Sequence, residues 1–385
     1  MRSWRAAAPL VVLAMATGLS AGVGRATSPP TSEPAATPAG GGDSTLPPTE
    51  TETSGIGWEQ VVPGGDCACA DGSEFNFWMR KADPTKVVLF LEGGGACFDA
   101  ATCAFTEGQS TTYDWNISPD DDPSLMSGIF DFDRPENPFA GYSFVYVPYC
   151  TGDIHLGNKV SEYSPDLTVE HVGFINGLTA AAYLSDTLPD ATEVVVVGES
   201  AGAIAAPLYG GIVSDLLPDA QVTVFSDGSG AYPNDPNGGA AFDALWNTSA
   251  NLPGWEVNEG LTAGELNAPR MWIQAGLHDP EMVMSRFDFA YDEVQGAFMS
   301  LTGADTSDLG ATMAANEAAI EAAGVVQHSF TAPGTEHTLV RGDEFYDMEV
   351  GGVRLSDWVA DVIAGEDVAD VRCEECGGRA TATTG

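Results

Sequence analysis

Short apolar runs, rich in β-branched and aromatic residues, alternate along this chain with longer stretches of helical composition. The runs Val87–Leu91, Ser143–Pro148, Val194–Val197, Val222–Phe225, Met282–Phe289 and Val325–Phe330 predict strands, because such side chains suit a pleated, buried surface. The stretches Val172–Leu188, Ala201–Leu217, Asp292–Leu301 and Leu355–Ile363 predict helices. Arg270–Ala275 offers one further strand candidate. Strands alternating with helices imply an α/β fold with a mostly parallel sheet and helices on both faces. Ligands of such sheets bind at the carboxyl ends of the strands.

One junction in this pattern carries chemistry. Directly after Val194–Val197 comes Gly198-Glu199-Ser200-Ala201-Gly202, and an Ala-rich helical stretch follows. A serine on a sharp strand-to-helix turn, between glycines, is the nucleophile elbow of an α/β-hydrolase-like fold. Serine needs a base, and the base needs an acid to orient it. In this fold the order is serine, acid, histidine. Of five histidines, His155 and His171 precede Ser200, His278 leaves no room for an acid, and His328 lies inside a strand. His337 follows the last long predicted strand on a loop, where the base belongs.

The acid has two candidates from pattern. Asp292 sits between the strand Met282–Phe289 and a helix. Asp279, in His278-Asp279-Pro280, would follow the Arg270–Ala275 strand but also reads as turn chemistry. Asp227 is a distant third. The oxyanion donors predicted are the amides of Gly94, Gly95 and Ala201, because Glu92-Gly93-Gly94-Gly95-Ala96 follows a strand as esterase oxyanion loops do. A phosphate cradle would need Lys-Ser/Thr after the glycines, and none is there.

Composition changes the picture at the ends and on the surface. Residues 1–26 read as a secretory signal, with Arg2 and Arg5 before an apolar stretch too short for a comfortable span. Residues 27–57 read as a disordered Pro/Thr/Ser-rich linker, 58–371 as the catalytic domain, and 372–385 as a tail with a CxxC. The protein is expected outside the cell or in the periplasm, without membrane insertion after signal removal. Fifty-six acidic residues against fourteen basic leave a formal net charge of −42, which excludes nucleic acid as a partner. Seven cysteines in an exported chain suggest disulfides, and Cys97 with Cys103 could close a local loop. A zinc knuckle is the weaker alternative, since no histidines accompany the CxC and CxxC pairs.

Several segments, in order, resemble the pectin acetylesterase family, which includes the Notum-type carboxylesterases. They are Cys69-Ala70-Asp71-Gly72-Ser73, the Leu89–Cys97 segment, Pro148-Tyr149-Cys150, His171–Asn176, Asp292-Glu293-Val294-Gln295 and Glu336-His337. The resemblance implies an α/β-hydrolase fold, a serine carboxylesterase, Asp292 as the acid, and no metal or organic cofactor. It implies an acylated carbohydrate or other small ester as partner, acetyl being the expected acyl group; the chain is expected to be a monomer. Substrate choice is expected in the walls around the elbow, from Gly95 to Cys103 and from Cys150 to Asn158, with Cys150, Thr151, Asp153 and His155 as the substrate-binding candidates. Two departures are plain. Gly95-Ala96 replaces the bulky aromatic pair of Notum-type members, so lipid-pocket details do not transfer, and the plant Gly-Cys-Ser elbow reads Gly-Glu-Ser here. Like charge would also weaken encounter with anionic pectin at low salt.

Overall fold

The computed structural model describes residues 57–106, 112–373 and 376. The expected signal segment, nearly all of the linker and most of the tail lie outside these residues.

Strand β1 (Trp58–Val61) pairs antiparallel with β2 (Phe77–Arg80), and β3 (Asp83–Leu91) and β4 (Tyr142–Val147) follow. A hairpin of β5 (Lys159–Ser164) and β6 (Leu167–His171) leads into helix α1 (Gly173–Thr187). Then come β7 (Glu193–Glu199), α2 (Ala201–Leu216), β8 (Gln221–Asp227), α3 (Pro236–Trp246) and α4 (Ala268–His278). The chain continues through β9 (Val283–Phe289), α5 (Glu293–Leu301), α6 (Leu309–Ala322) and β10 (His328–Ala332). It closes with α7 (Glu344–Asp347), the small pair β11 (Glu349–Val350) and β12 (Val353–Arg354), α8 (Leu355–Ile363) and β13 (Val371–Arg372).

Nine strands form one sheet in the order β1-β2-β4-β3-β7-β8-β9-β10-β13. Every pairing from β4 to β13 is parallel, so these strands end at the same edge. The period of two divides each strand between two cores. Val87, Leu89 and Leu91 of β3 pack with α1, α2 and α4, alongside Val194, Val196 and Val224. Val88 and Phe90 face the other way, with Val195, Val197, Phe225, Phe287, Phe330 and Trp358 of α8. Both faces are covered, which is why β7 reads as an unbroken valine run rather than an alternation.

The predicted elements appear with shifted ends, except Arg270–Ala275, which lies within helix α4. Asn267 caps that helix by accepting the Arg270 amide at 3.2 Å, and Pro269 sits in its first turn. Capping and a proline tolerated at the start turned an apolar run into helix. The last long strand starts at His328 rather than Val325, so His328 opens β10 instead of lying inside it.

Three disulfides are present: Cys69–Cys150, Cys97–Cys103 and Cys373–Cys376, with Cys67 free. Cys97, Cys103 and His171 lie close enough to share an ion, but both thiols are spent on the disulfide and both ring nitrogens of His171 are hydrogen-bonded. Chain entropy predicts unequal worth for the first two bridges, because they span separations of 81 and 6 residues. Removing Cys69–Cys150 by double serine substitution should cost about 4 kcal/mol, and removing Cys97–Cys103 about 2 kcal/mol. Urea unfolding of the two double variants reads the difference, and equal losses would contradict it.

Candidate active site

The turn from β7 into α2 places Ser200 at φ 50°, ψ −111°, a conformation a residue with a side chain rarely adopts. Such backbone costs about 1–3 kcal/mol and persists only where its surroundings enforce it. They do so here. The Ser200 amide donates to the Asp227 carbonyl at 2.8 Å. Gly202 passes so close to the Leu91 carbonyl that a Cβ there would overlap it. A Cβ on Gly93 would come to 2.7 Å from the Ser200 Cβ, so the glycine loop after β3 packs directly on the serine.

His337 lies on the loop after β10. Its Nδ1 is 2.6 Å from Asp292 Oδ2 and its Nε2 is 2.7 Å from Ser200 Oγ. An ionised carboxylate can only accept, so Nδ1 carries a proton toward Asp292 and Nε2 is left to accept from the serine hydroxyl. Asp292 is fully buried and is the N-cap of α5. Its Oδ1 accepts from the amides of Val294 and Gln295, both at 2.9 Å, and its Oδ2 from Gln295 Nε2 at 2.9 Å. The cap bonds fix the carboxylate and aim its second oxygen at the imidazole. Gln295 Oε1 in turn accepts from the Ala231 amide. Asp-x-x-Gln is thus a capping spacing that also orients a histidine.

Burial alone would lower the His337 pKa. The hydrogen bond and charge of Asp292, with the charges of Asp227 and Glu199, outweigh it, so the imidazole titrates above its ordinary 6.5. Asp227 is also near, yet its side chain serves the backbone. Oδ2 accepts from the amides of Leu339 and Val340 at 2.7 and 2.9 Å, which anchors the loop just past His337. Its Oδ1 is buried without a hydrogen-bond partner, and burial pushes this carboxyl up to about 7. Asp279 caps the C-terminal end of α4 before β9, at the sheet edge opposite the serine.

Beside Ser200 opens a cavity of about 80 Å³. Gly95, Ala96, Ser200 and Ala201 form one end, and Phe98, Ile204, Phe242, Trp246, Met271 and Phe298 are among its walls. Of the three expected donors, Gly95 and Ala201 share this wall with Ser200. Gly94 lines a neighbouring depression, and its carbonyl accepts from the Asp114 amide at 2.9 Å. As the first residue of α2, Ala201 has an amide with no acceptor inside the helix.

The four substrate-binding candidates are not in the cavity. Cys150 is bonded to Cys69, and Thr151, Asp153 and His155 are buried. Thr151 Oγ1 donates to Asp153 Oδ1 at 2.6 Å, Asp153 Oδ2 accepts from the Gly173 amide, and His155 Nε2 meets the Glu92 carbonyl at 2.8 Å. Each polar group finds its partner inside the fold, as buried polar groups must. The residues between and beyond them, Ile154 and Leu156, are the ones that line the cavity.

The histidine offers a test independent of any substrate. In an NMR titration the His337 imidazole should show a midpoint above 6.5, because the charged form is favoured by its carboxylate neighbours. Asp292→Asn should move that midpoint down by at least about one unit, since the opposing effect of burial then loses its largest counterweight. An unchanged midpoint would remove Asp292 as its partner.

The sequence model of the pectinacetylesterase family matches residues 62–259. The palmitoleoyl-protein carboxylesterase Notum of Drosophila melanogaster is 27% identical over 214 residues, 51% of this chain and 31% of that protein. Pectin acetylesterase 5 of Arabidopsis thaliana is 28% identical over 200 residues, 49% of this chain and 45% of that protein. The chain therefore spans about a third to a half of the length of these curated relatives. A crystal structure of the Wnt deacylase Notum from Drosophila superposes with a TM-score of 0.60 at 19% identity, covering 81% of this chain and 95% of that one, which establishes a shared fold. With the family pattern matched over half of this chain, from the residue after β1 to the segment before α4, this chain belongs to the pectinacetylesterase family.

Proposed function

We propose that this protein is an exported serine carboxylesterase that releases acyl groups longer than acetyl from a hydroxyl, through an acyl-enzyme. The observation that carries the reading is the apolar cavity opening directly on Ser200 Oγ, which is itself in contact with His337. His337 Nε2 takes the serine proton as Oγ attacks the ester carbonyl carbon. The oxyanion is received by the amides of Gly95 and Ala201, and losing one such donor costs about 3 kcal/mol of barrier. Collapse expels the alcohol, which takes the proton back from His337. Water then repeats the sequence on the acyl-serine, with His337 again as base. Asp292 holds the imidazole in the tautomer that permits this.

The names of the relatives bracket the choice of acyl group, one being a pectin acetylesterase and another a palmitoleoyl-protein carboxylesterase. The Gly95-Ala96 pair alone would suggest an open cleft. Instead, Phe98, Phe242, Trp246 and Phe298 supply an aromatic lining from other segments. A longer acyl chain would bury more methylenes against that lining, each contributing about 0.8 kcal/mol. An acidic chain of net charge −42 also opposes a polyuronate substrate. The disulfides fit an oxidising compartment, and no helix among the described residues is long and apolar enough to cross a membrane. A second reading, a deacetylase of neutral polysaccharide, draws on the family name alone.

Purified protein should hydrolyse p-nitrophenyl esters, and a fluorophosphonate should label Ser200. Ser200→Ala should abolish both, and activity retained in that variant would remove the proposed nucleophile. Along a series from acetate to octanoate, kcat/KM should rise by up to about fourfold per methylene until the cavity is filled. Ala268→Phe, which places a ring in the cavity wall, should shift the optimum to shorter chains. A maximum at acetate in both proteins would favour the deacetylase reading.

Catalysis needs neutral His337, and its raised pKa means the base is lost on acidification from a higher pH than a free imidazole would allow. The acid limb of kcat/KM should therefore lie above pH 6.5. Asp292→Asn should lower kcat by about 10⁴. Asp279→Asn, at the far sheet edge, should leave kcat unchanged, and the reverse order would move the acid.

A further inference from the structure

We propose that Arg341 is a positioning residue for acyl transfer, holding the glycine loop, the elbow and the histidine loop in register through two buried glutamates. The inference rests on the esterase reading above. Arg341 lies four residues past His337. Its NH1 is 2.6 Å from Glu92 Oε1, and its Nε is 2.6 Å from Glu199 Oε2. Glu92 immediately precedes Gly93-Gly94-Gly95, and Glu199 immediately precedes Ser200. The two glutamates are only 3% and 5% exposed. One guanidinium thus reaches the residue before the oxyanion loop and the residue before the nucleophile, from the strand-end loop that carries the base.

Each glutamate is tied at its other oxygen to the same machinery. Glu92 Oε2 accepts from the Tyr149 amide at 3.0 Å, and Glu199 Oε1 accepts from Thr338 Oγ1, beside His337, at 3.0 Å. Glu199 Oε2 has no aligned hydrogen bond, so its close contact with Arg341 Nε is a charge pair and the guanidinium is what compensates it. Burial opposes ionisation of Glu92, and the neighbouring Arg341 charge favours it. Arg341 also favours the charged forms of Asp114 and Asp121, while the other cationic group coupled to Glu199 is the His337 imidazole itself. The side-chain hydrogen bonds of the His337 ring go to Asp292 and Ser200, not to Arg341, Glu92 or Glu199. Their effect on reaction would run through placement of amides and imidazole, where a misplacement of about 1 Å can cost about 10²-fold in rate.

A bridge that only stabilised the fold would lower the melting temperature and leave the kinetics of the folded protein alone. A positioning bridge acts on the transition state. The test uses the full chain, p-nitrophenyl butyrate as substrate, and a trifluoromethyl ketone of the same acyl chain as a mimic of the tetrahedral state. Folded Arg341→Met should lose at least about tenfold in kcat with KM unchanged, and the ketone should weaken in proportion. Arg341→Lys should fall between, because a point charge cannot bridge two carboxylates as a planar fork does. Adding Glu92→Gln and Glu199→Gln to Arg341→Met removes the uncompensated charges, and should restore stability but not kcat.

If Arg341→Met does not fold, the triple variant carries the test. A kcat and ketone affinity within about twofold of wild type, in either folded variant, would overturn the proposal. Loss of the esterase reading would look different: wild-type protein would fail on the ester, or Ser200→Ala would retain activity.

Discussion

The backbone strain at Ser200 is the constraint on which the rest of the site depends. A serine at φ 50° exists only because β7 ends and α2 begins within one residue, with no room to relax. The valine core on both faces of β7 holds the strand, and the Asp227 carbonyl holds the Ser200 amide. The glycine loop after β3 then closes on the serine from the neighbouring strand, at a distance no side chain would allow. Parallel strands make this possible. Because β3, β7, β8, β9 and β10 all end at one edge, the glycine loop, Ser200, Asp227, Asp292 and His337 converge there from segments far apart in the chain.

Charge is managed at this edge in two opposite ways. The Asp292 carboxylate has its oxygens occupied by the Val294 and Gln295 amides, by the Gln295 side chain and by His337. It needs no cation. Glu92 and Glu199 share a cation instead, Arg341, in a protein with few to spare. Asp227 takes a middle course, with one oxygen on two backbone amides and the other unpaired. A chain of net charge −42 can keep its surface carboxylates in water, but those beneath the site must each be answered locally.

The cavity has a different origin from the reacting groups. The reacting groups sit at strand ends, where the sheet places them. The apolar walls come from α3, α4, α5 and the segments around Phe98 and Leu156, which cross above that edge. The two parts are built from separate segments and are therefore free to vary separately.

The sequence by itself determined the α/β alternation, the elbow at Ser200, the glycine loop and the histidine position, because these depend on local periodicity, turn chemistry and chain order. It left Asp279 and Asp292 close together as acids until the Asp-x-x-Gln resemblance was added, and the capping geometry of α5 shows why that spacing matters. Arg270–Ala275 was misread because an apolar run of six fits a strand or a buried helix equally, and only the Asn267 cap and the packing of α4 on α2 decide it. Cys150, Thr151, Asp153 and His155 sit on the right segment, but side-chain direction was not legible there: the polar groups turned inward to one another and Ile154 and Leu156 turned to the cavity. Arg341 and the aromatic walls carried no local signal at all. Their places follow from which loops meet over the sheet, and long-range packing, unlike a strand or a turn, leaves no pattern in neighbouring residues.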